Sequence, residues 1–591
     1  MRLGAQTAFF GLMMGLASSG WSVDLGTYKG CAATDNDFAM TKIFQGPVPS
    51  SGGDNSANSV LKVSFDAQPN NVVDVYFIQK WGAISRYNGA AKTVDVLGTL
   101  NANHKGEQGL IGIALDPNFK TNRYIYVNYS FVEAGNTYAF RISRFTLGAG
   151  AAGKIDMASE KILIKIPCQN NDWHTAGAML FDAYGDLFCN IGDNQQSEGT
   201  AGNTADLRGG IIRIHPDDSP KGYSIPKGNF GEVMAASFKT AGNTTVAAQY
   251  ADTSMVKAEI FVKGTRNAYT LGMDPVRRWI AWGEVGPDQG KVSEEYNMVK
   301  APVFGGWPYF AGAENMGAGS PSGGPAGGPY GTAVPLMPNP NAIMNNFAGI
   351  KGVKTLPPNH NPIFVKNQSC AMGGPIFVYD GANTSSTQFP PQFNHKWILS
   401  DCNGSGYGYR LLSFDAAGDT VVGGDALKIF AGANAPKTVG LVDMKQGPDG
   451  SLYIVDWGGG AIYRMDYTGT CKDATLLKDK TGCADATAKN YDASIPAAYN
   501  DPRLCQFGTS LVPGRIFTEN PILVSGRTVT VSLQGGYELR VLDVSGRVAY
   551  SMSGEGNKTY ALPGLKQSGV YHVEVKGSEG VFTSRLLNVT P

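Results

Sequence analysis

The chain has 591 residues, with 49 Lys and Arg, 49 Asp and Glu, and a sequence pI near 7.0. This balance excludes the long-range attraction of a basic protein for nucleic acid or an anionic membrane, so we expect no nucleic acid partner and favour a small or neutral one. The 77 Gly, 32 Pro, 26 Tyr and 27 Phe are typical of many short strands joined by tight turns. The chain is too long for a single hydrophobic core of ordinary size. Length and composition together predict an all-β protein with a large closed architecture and additional domains.

The start of the chain has the layout of a secretory signal. Residues 1–22 read MRLGAQTAFFGLMMGLASSGWS, in which Arg2 precedes an apolar run and then small residues, as in a cleaved signal peptide. An apolar run of about ten residues is shorter than the roughly 20 that a membrane-spanning helix needs. We expect a mature chain without a transmembrane segment, secreted or attached to the cell surface, with its eight cysteines in an oxidising compartment.

One phrase recurs through the middle of the chain: an aromatic or apolar residue, Asp, a short turn with Gly, Pro or Asn, and an alternating strand. The copies begin at Phe65, Leu115, Phe181, Met273, Phe414 and Gly447, with a weaker copy at Ile376. Repeats spaced by tens of residues are typical of blades that bury their faces against neighbouring blades. The pattern predicts a six-bladed β-propeller over residues 35–466.

Three later segments depart from the repeat. Residues 310–362 include GAGSPSGGPAGGPYG and are interpreted as a long loop over one face. Residues 467–510 are polar and punctuated by Cys, which predicts a Cys-containing linker module. Residues 514–591 contain strand-length runs such as TVTVSL and YHVEVKG, which predict a small C-terminal β-sandwich.

The eight cysteines allow four disulfides, although spacing leaves the connectivity open. The pairs that we consider are Cys168–Cys189, Cys370–Cys402, Cys31–Cys471 and Cys483–Cys505.

Five phrases occur in an order that resembles a known enzyme family. They are GEQGLIGIALDPNFKTNRYIYVNYS from Gly106, WHTAGAMLFDAYGDLFCNIGDN from Trp173, VKGTRNAYTLGMDP from Val262, GEVGPDQGKVSEEYN from Gly283 with GGWPYF from Gly305, and SCAMGGPIFVYD from Ser369. Together they resemble the PQQ-dependent glucose/sorbosone dehydrogenases over roughly residues 43–465. The resemblance implies a propeller that binds pyrroloquinoline quinone (PQQ) and calcium at its axis and oxidises a small-molecule sugar.

The resemblance also assigns roles to individual residues. His174 matches the catalytic histidine, a general base that takes the proton from the sugar C1 hydroxyl. Arg266 and Asn267 match a pair that holds the carboxylate and quinone oxygens of the cofactor. Arg266 is also predicted to be a catalytic residue. Gln108 matches a polar cofactor contact. The alternatives are a hydrogen-bonded loop histidine, an arginine that pins a turn and a turn-capping glutamine.

Calcium ligands follow from the same resemblance. Gly286 and Pro287 match positions whose backbone carbonyls bind the ion, and Glu295, with Glu294 beside it, is a candidate for a second, structural calcium. The alternative for two adjacent loop carboxylates is solvation. Trp173 and Trp307 are candidates for sugar-stacking faces or for blade filling.

The C-terminal sequence GYELRVLDVSGRVAYSMSGEGNKTYALPGLKQSGVYHVEVKG resembles the sorting domains of proteins exported by the type IX secretion system. This implies the secretion machinery as a partner of the C-terminal domain. The alternative is an immunoglobulin-like accessory domain.

The chain also departs from the dehydrogenase pattern. The family carries a Lys in a fifth-blade strand and two Arg just before the last DG turn, whereas the corresponding stretches here read LSDCNGSGYGYRL from Leu399 and TVGLVDMKQGPDG from Thr438. Lys437 and Arg410 are the candidates for compensation. The functions left open are a PQQ-dependent oxidoreductase acting on aldoses or polyols, a non-catalytic cell-surface propeller that binds glycans or a protein, and a calcium-dependent lactonase, for which the required ring of carboxylates is not evident.

Overall fold

The computed structural model describes residues 37–48, 59–148, 153–170, 173–274, 277–286, 293–311, 314–315, 343–345, 349–367, 370–403, 409–414, 427–429, 440–470, 491, 522–525, 528–531, 533, 536–542, 548–556, 558–562, 569–577 and 580–588. The predicted signal segment 1–22, most of the predicted linker 467–510, Pro287, Lys437, and the pairs Cys31–Cys471 and Cys483–Cys505 lie outside the described residues. The chain forms two units, Met1–Leu477 and Lys478–Pro591.

Strands dominate the first unit. In chain order they are β1 (Phe38–Gln45), β2 (Val60–Ala67), β3 (Val73–Gln79), β4 (Ala83–Asn88), β5 (Thr93–Thr99), β6 (Leu110–Leu115), β7 (Tyr124–Glu133), β8 (Thr137–Leu147), β9 (Ile155–Cys168), β10 (Met179–Phe181), β11 (Leu187–Ile191), β12 (Gly210–Pro216), β13 (Tyr223–Ser224), β14 (Ile260–Lys263), β15 (Gly272–Asp274), β16 (Trp279–Glu284), β17 (Ser293–Val299), β18 (Val303–Phe304), β19 (Phe310–Ala311), β20 (Glu314–Asn315), β21 (Ile343–Met344), β22 (Thr355–Leu356), β23 (Phe364–Asn367), β24 (Ala371–Met372), β25 (Ile376–Phe377), β26 (Lys396–Asp401), β27 (Tyr409–Leu412), β28 (Leu427–Ile429), β29 (Leu441–Gln446), β30 (Leu452–Asp456) and β31 (Ala461–Tyr467).

Within the described ranges, most of these strands form six successive sheets. Their orders are β2-β3-β4-β5, β6-β7-β8-β9, β10-β11-β12-β14-β18, β15-β16-β17-β23, β24-β26-β27-β28 and β29-β30-β31-β1, with β13 and β25 paired at the side. First strands of neighbouring sheets pack together, with β2 against β6 and β29, β10 against β6, β15 against β25, and β24 against β29. Strand β1 completes the last sheet by pairing with β31, so that Phe38 lies opposite Tyr467. The first unit is therefore mostly β, as the composition predicts, and propeller-like, as the repeated phrase predicts.

The repeated Asp closes the turn between the first and second strands of a sheet. Asp182 Oδ1 accepts hydrogen bonds from the backbone N–H groups of Tyr184 at 2.8 Å and Asp186 at 2.9 Å, which is an Asx turn. The copy at Phe414 is different, because it follows β27, the third strand of its sheet. The weak copy at Ile376 is the one that precedes the second strand of that sheet.

Helices are few in the part of the chain that the structure describes, and none of them was predicted from the sequence. They are α1 (Phe119–Asn122), α2 (Ser197–Thr200), α3 (Phe230–Thr240) and α4 (Thr244–Ala251), with 3-10 turns at Pro69–Asn71, Ala134–Asn136 and Pro391–Phe393. On α3, Phe230, Met234 and Phe238 recur every four residues and are buried against Val353 and Leu356. Part of the predicted loop 310–362 is thus packed on a helical pair. None of the helices in the described ranges is both long and apolar enough to cross a membrane.

One predicted disulfide is confirmed and one is wrong. Cys370 and Cys402 are bonded. Cys168 and Cys189 are free thiols, because Cys168 ends β9 in the second sheet whereas Cys189 lies on β11 in the third. The Asn128 side-chain amide donates to the buried Cys189 sulfur at 3.3 Å, and burial raises the pKa of that thiol to about 12.

The second unit contains two antiparallel sheets among its described residues. Its strands are β32 (Ile522–Ser525), β33 (Thr528–Val531), β34 (Gly536–Leu542), β35 (Val548–Glu555), β36 (Lys558–Ala561), β37 (Gly569–Gly577) and β38 (Gly580–Asn588). The sheets have the orders β32-β33-β36 and β35-β34-β37-β38. Val529, Leu539 and Val573 belong to a single buried apolar cluster that both sheets share.

Candidate functional site

The predicted site residues lie in loops that precede first strands. Gln108 precedes β6, His174 precedes β10, and Arg266 and Asn267 precede β15. These loops meet, since the Thr175 N–H donates to Glu107 Oε2 at 3.2 Å and the Ala176 N–H donates to Asn267 Oδ1 at 3.1 Å. The fold therefore collects residues from three sheets into one polar cluster.

His174 forms a buried pair with Asp193. The two are joined at 2.6 Å between Nδ1 and Oδ1, with His174 9% exposed and Asp193 fully buried. The same carboxylate accepts from Gln195 N–H at Oδ1 and from Trp307 Nε1 at Oδ2, both at 2.8 Å. Nε2 of His174 has no hydrogen-bond partner among the described residues. The ring is thus held by one nitrogen while the other is available for chemistry.

The charge of Asp193 is stabilised where it lies. Burial alone would raise its pKa, but the hydrogen bond and charge of His174, the charge of Arg266 and the Trp307 N–H outweigh burial and lower it. An ionised carboxylate beside Nδ1 fixes the imidazole tautomer and stabilises the protonated ring. The pair therefore has the chemistry of an oriented general base.

Close packing of the backbone sets the position of His174. His174 has a φ of +58°, in the left-handed region that few non-glycine residues adopt. A Cβ on Gly192 would lie 2.1 Å from the His174 carbonyl oxygen, and that oxygen accepts from the Asn194 N–H at 3.1 Å. Only glycine fits at position 192.

Arg266 is buried beside the His174–Asp193 pair. Its Nη1 donates to the Val285 carbonyl at 3.0 Å, and its N–H donates to Glu284 Oε1 at 2.5 Å. The guanidinium carbon lies 5.8 Å from the centroid of the Trp307 ring. These contacts hold a permanent positive charge next to the base.

Asn267 links a second carboxylate to the cluster. Its Nδ2 donates to Glu107 Oε2 at 3.2 Å, and the same oxygen accepts from the Thr175 N–H at 3.2 Å. Burial raises the pKa of the Glu107 carboxyl, although the His174 charge and these hydrogen bonds act against that effect.

Gln108 is engaged within the protein at both ends of its amide. Its Nε2 donates to the Gln169 carbonyl at 2.9 Å, and its Oε1 accepts from the Asn103 side chain. The side chain is fully buried. The amide thus links two segments of the protein, and the predicted cofactor contact stays a prediction.

The predicted calcium residues lie next to buried carboxylates. The Gly286 N–H donates to Glu294 Oε1 at 3.2 Å, and Ala371 N–H donates to Glu294 Oε2 at 2.8 Å. Burial raises the pKa of Glu294 to about 7. Glu295 lies directly opposite Glu284 on paired strands, and burial, followed by the charge of Glu295, raises the pKa of Glu284 to about 8.

Solvation of Glu294 and Glu295 is excluded, because they are 4% and 5% exposed. Over the described ranges, no group of three or more His, Cys, Asp or Glu side chains has an arrangement suited to a metal ion. A calcium site here would therefore depend on backbone carbonyls as well as carboxylates.

Trp173, Trp307 and Arg410, which are also candidates from the sequence, differ in their exposure and their contacts. Trp307 is 8% exposed and donates to Asp193, whereas Trp173, beside the base, is 54% exposed. Arg410 lies on β27, the third strand of its sheet, opposite Leu399, and burial lowers its pKa. It has no contact with the His174 cluster among the described residues.

Asp193 and Glu107 were not predicted as site residues, although the segments IGDN and GEQG that contain them lay within the quoted phrases.

Residues 64–230 match the family described as Glucose / Sorbosone dehydrogenase. This range contains Gln108, His174 and Asp193, whereas Arg266 and Asn267 lie beyond it. The chain is similar to Aldose sugar dehydrogenase YliI of Escherichia coli (strain K12), with 24% identity over 208 residues, 34% of this chain and 47% of that protein. It is also similar to Hedgehog-interacting protein of Homo sapiens, with 23% identity over 137 residues, 21% of this chain and 19% of that protein. The chain thus spans about half the length of the first relative and about a fifth of the second.

Two solved structures are among those to which this chain is similar. The apo form of soluble aldose sugar dehydrogenase from Escherichia coli has a TM-score of 0.49 and 18% identity, covering 73% of this chain and 99% of that chain. The PQQ-bound form of aldose sugar dehydrogenase from Streptomyces coelicolor has a TM-score of 0.46 and 16% identity, covering 73% and 98%.

Proposed function

We propose that the chain is an oxidoreductase that oxidises a hydroxyl of aldose sugars or related polyols, with His174 as the general base. The observation that carries the proposal is the pair His174–Asp193, in which Nδ1 is held at 2.6 Å by a buried carboxylate and Nε2 is left for a substrate. The family match over residues 64–230 and the similarity to an aldose sugar dehydrogenase support the substrate class.

In the proposed reaction, Nε2 of His174 accepts the proton of the sugar C1 hydroxyl. Asp193 stabilises the resulting imidazolium, and its lowered pKa keeps it ionised throughout. Trp307 Nε1–H donates to the other carboxylate oxygen, Oδ2, and the Gln195 N–H donates to Oδ1 beside His174, so the carboxylate is fixed in place. Positioned general bases of this kind contribute about 10²- to 10⁴-fold to a rate.

Sugar oxidation also releases a hydride, and the resemblance implies PQQ as its acceptor. Arg266 fits this group, because its planar guanidinium lies in the same cluster as His174 and suits carboxylate and quinone oxygens. When bound, the quinone supplies the two-electron acceptor. The amides of Asn267 and Gln108 are both hydrogen-bonded within the protein at each end, so a contact of either one with the cofactor stays a prediction.

Calcium is the second proposed cofactor. The carbonyls of Gly286 and Pro287 would hold one ion, and Glu295 would contribute to a structural one. A divalent cation would suit the buried carboxylates Glu284 and Glu295, because it would act against the burial and the Glu295 charge that raise the pKa of Glu284.

The proposal extends to the whole chain. We infer that the six sheets are the blades of a six-bladed propeller, that 467–510 is a linker, and that 514–591 is a β-sandwich. In this proposal the C-terminal domain is recognised by the type IX secretion machinery, and the chain is secreted or attached to the cell surface. The closing of the last sheet by β1 and the core shared by the two C-terminal sheets support this organisation.

A non-catalytic propeller that binds glycans or a protein is the second candidate. The position of Arg410 away from the His174 cluster favours it, because the cations expected near a polycarboxylate cofactor are then fewer. The similarity to Hedgehog-interacting protein also supports a binding role.

A titration of the mature chain with PQQ and calcium separates the two candidates. Cofactor absorbance is followed during binding and then on addition of a panel of aldoses, with His174→Ala as the control. Saturable binding and sugar-driven reduction that the variant loses support the oxidoreductase. A chain that binds no PQQ at micromolar concentration would contradict it and leave the binding propeller.

A further inference from the structure

A buried lysine lies among the first strands of the first unit. Lys62 on β2 is fully buried, and its ammonium donates to the Val442 carbonyl at 2.5 Å. The ammonium also lies 4.1 Å from the centroid of the Tyr269 ring. An ammonium has three N–H donors, and a buried one is unfavourable unless its charge is paired. Among the described residues, the ammonium contacts the Val442 carbonyl and the Tyr269 ring, and these two contacts do not use all of its N–H donors.

Lys62 lies at the end of the sheets that carries the His174 cluster. It is the third residue of β2, and Tyr269 follows Asn267 by two residues, ahead of β15. Interaction with the carboxyl of Glu107 is one of the causes, after burial, that raise the pKa of Tyr269. The Tyr269 ring therefore connects the ammonium to the residues of the candidate site.

A second lysine lies near Lys62 and serves as its comparison. Lys445, near the end of β29, donates to the Val63 carbonyl at 2.7 Å and lies 3.8 Å from Asp443. It lines a cavity of about 880 Å³ formed by the far ends of the first strands. Both lysines interact with Asp443, but Lys445 is partly exposed and lines this cavity, whereas Lys62 is fully buried and does not line it.

The Lys62 ammonium lies beside the segment in which the resemblance implies cationic side chains. Val442 belongs to the stretch from Thr438 in which the resemblance implies two arginines and this sequence has none. Lys62 reaches that stretch from the neighbouring sheet. Burial is the largest cause that lowers its pKa to about 7, against the attraction of Asp443, so an anion bound nearby would favour the charged amine.

We propose that Lys62 is an anion-binding residue of the site, whose ammonium pairs with a carboxylate of a planar, polycarboxylate quinone. This inference rests on the proposed function and names the residue that replaces the missing arginines. Its counterpart Lys445 belongs to the far cavity and has no such role.

The test measures binding of PQQ with calcium to Lys62→Met, with Lys445→Met as the matched control. Equilibrium dissociation constants come from quenching of tryptophan fluorescence and from the rise in Tm that PQQ produces. Loss of a charge-assisted contact predicts a dissociation constant about 10- to 100-fold higher for Lys62→Met. Lys445→Met is expected to bind like the wild type, and Lys62→Arg is expected to recover most of the affinity.

The outcomes are distinguishable. If Lys62→Met binds PQQ as tightly as the wild type, the inference is overturned while the proposed function stands. If the wild type binds no PQQ, the cofactor assignment fails and the inference fails with it. Thermal unfolding without PQQ establishes that each variant is folded. Should Lys62→Met not fold, the same comparison is made between Lys62→Gln and Lys62→Arg, where equal affinity overturns the inference.

Discussion

Replacement of Asp193 by Asn tests the basis of the proposed catalysis. The carboxylate serves two N–H donors besides His174, from Gln195 and Trp307, but an amide has only one oxygen. If its NH₂ faces His174, Nδ1 must become the acceptor, so the proton moves to Nε2 and the base is lost. If its NH₂ faces Trp307, two donors meet. We expect the rate of cofactor reduction to fall about 10³- to 10⁴-fold and the free energy of unfolding to fall by about 2–4 kcal/mol.

The matched control is a second His–Asp pair in the same unit. His215 Nδ1 lies 2.9 Å from Asp186 Oδ1, but the His215 side chain is 45% exposed. Asp186→Asn is expected to leave the rate unchanged, and its effect on stability includes the loss of the charge that faces Arg213 and Arg278 at 3.9 and 3.6 Å. Single-turnover reduction of bound PQQ by an aldose and urea unfolding measure both quantities. The reasoning is refuted if folded Asp193→Asn reduces the cofactor within about twofold of the wild-type rate, far from the effect expected of a lost base.

Three further predictions concern stability. Gly192→Ala forces a Cβ to within 2.1 Å of the His174 carbonyl oxygen and should lower the free energy of unfolding by about 2 kcal/mol or more; an unchanged urea midpoint would contradict this. Reduction of Cys370–Cys402, which closes a 32-residue separation, should cost about 3 kcal/mol, and Tm with and without a reductant checks it. Burial lowers the pKa of Lys263 to about 7, so the unfolded chain binds more protons between pH 7 and the ordinary lysine pKa. Stability should therefore rise with pH over that window, and Lys263→Met should flatten the rise in urea titrations.

Local patterns in the sequence predicted the turns well. The repeated Asp forms side-chain turns such as that of Asp182, because an Asx turn depends on residues only two to four positions apart. The copy at Phe414 shows the limit of that reasoning, since a turn phrase does not specify which strand precedes it. The four-residue spacing of Phe230, Met234 and Phe238 is typical of a helix and could have predicted α3. It was not used because the composition favoured an all-β protein.

The site could be predicted only in part. The resemblance indicated His174, Arg266 and Asn267, which the fold brings together. It could not indicate that Trp307 donates to Asp193, because that contact joins residues 114 positions apart. The contact of Lys62 with the Val442 carbonyl spans 380 positions and depends on how the first and last sheets meet. Such partners follow from tertiary packing rather than from local pattern.

The most direct test of the central proposal is single-turnover reduction of the PQQ-loaded, calcium-loaded chain by an aldose with hydrogen or deuterium at C1. We expect sugar-driven reduction that is slower with deuterium, because the C1 hydride is transferred. We also expect that His174→Ala loses this reduction. A wild-type chain that binds PQQ but is not reduced by any aldose, or a His174→Ala chain reduced at the wild-type rate, would contradict it.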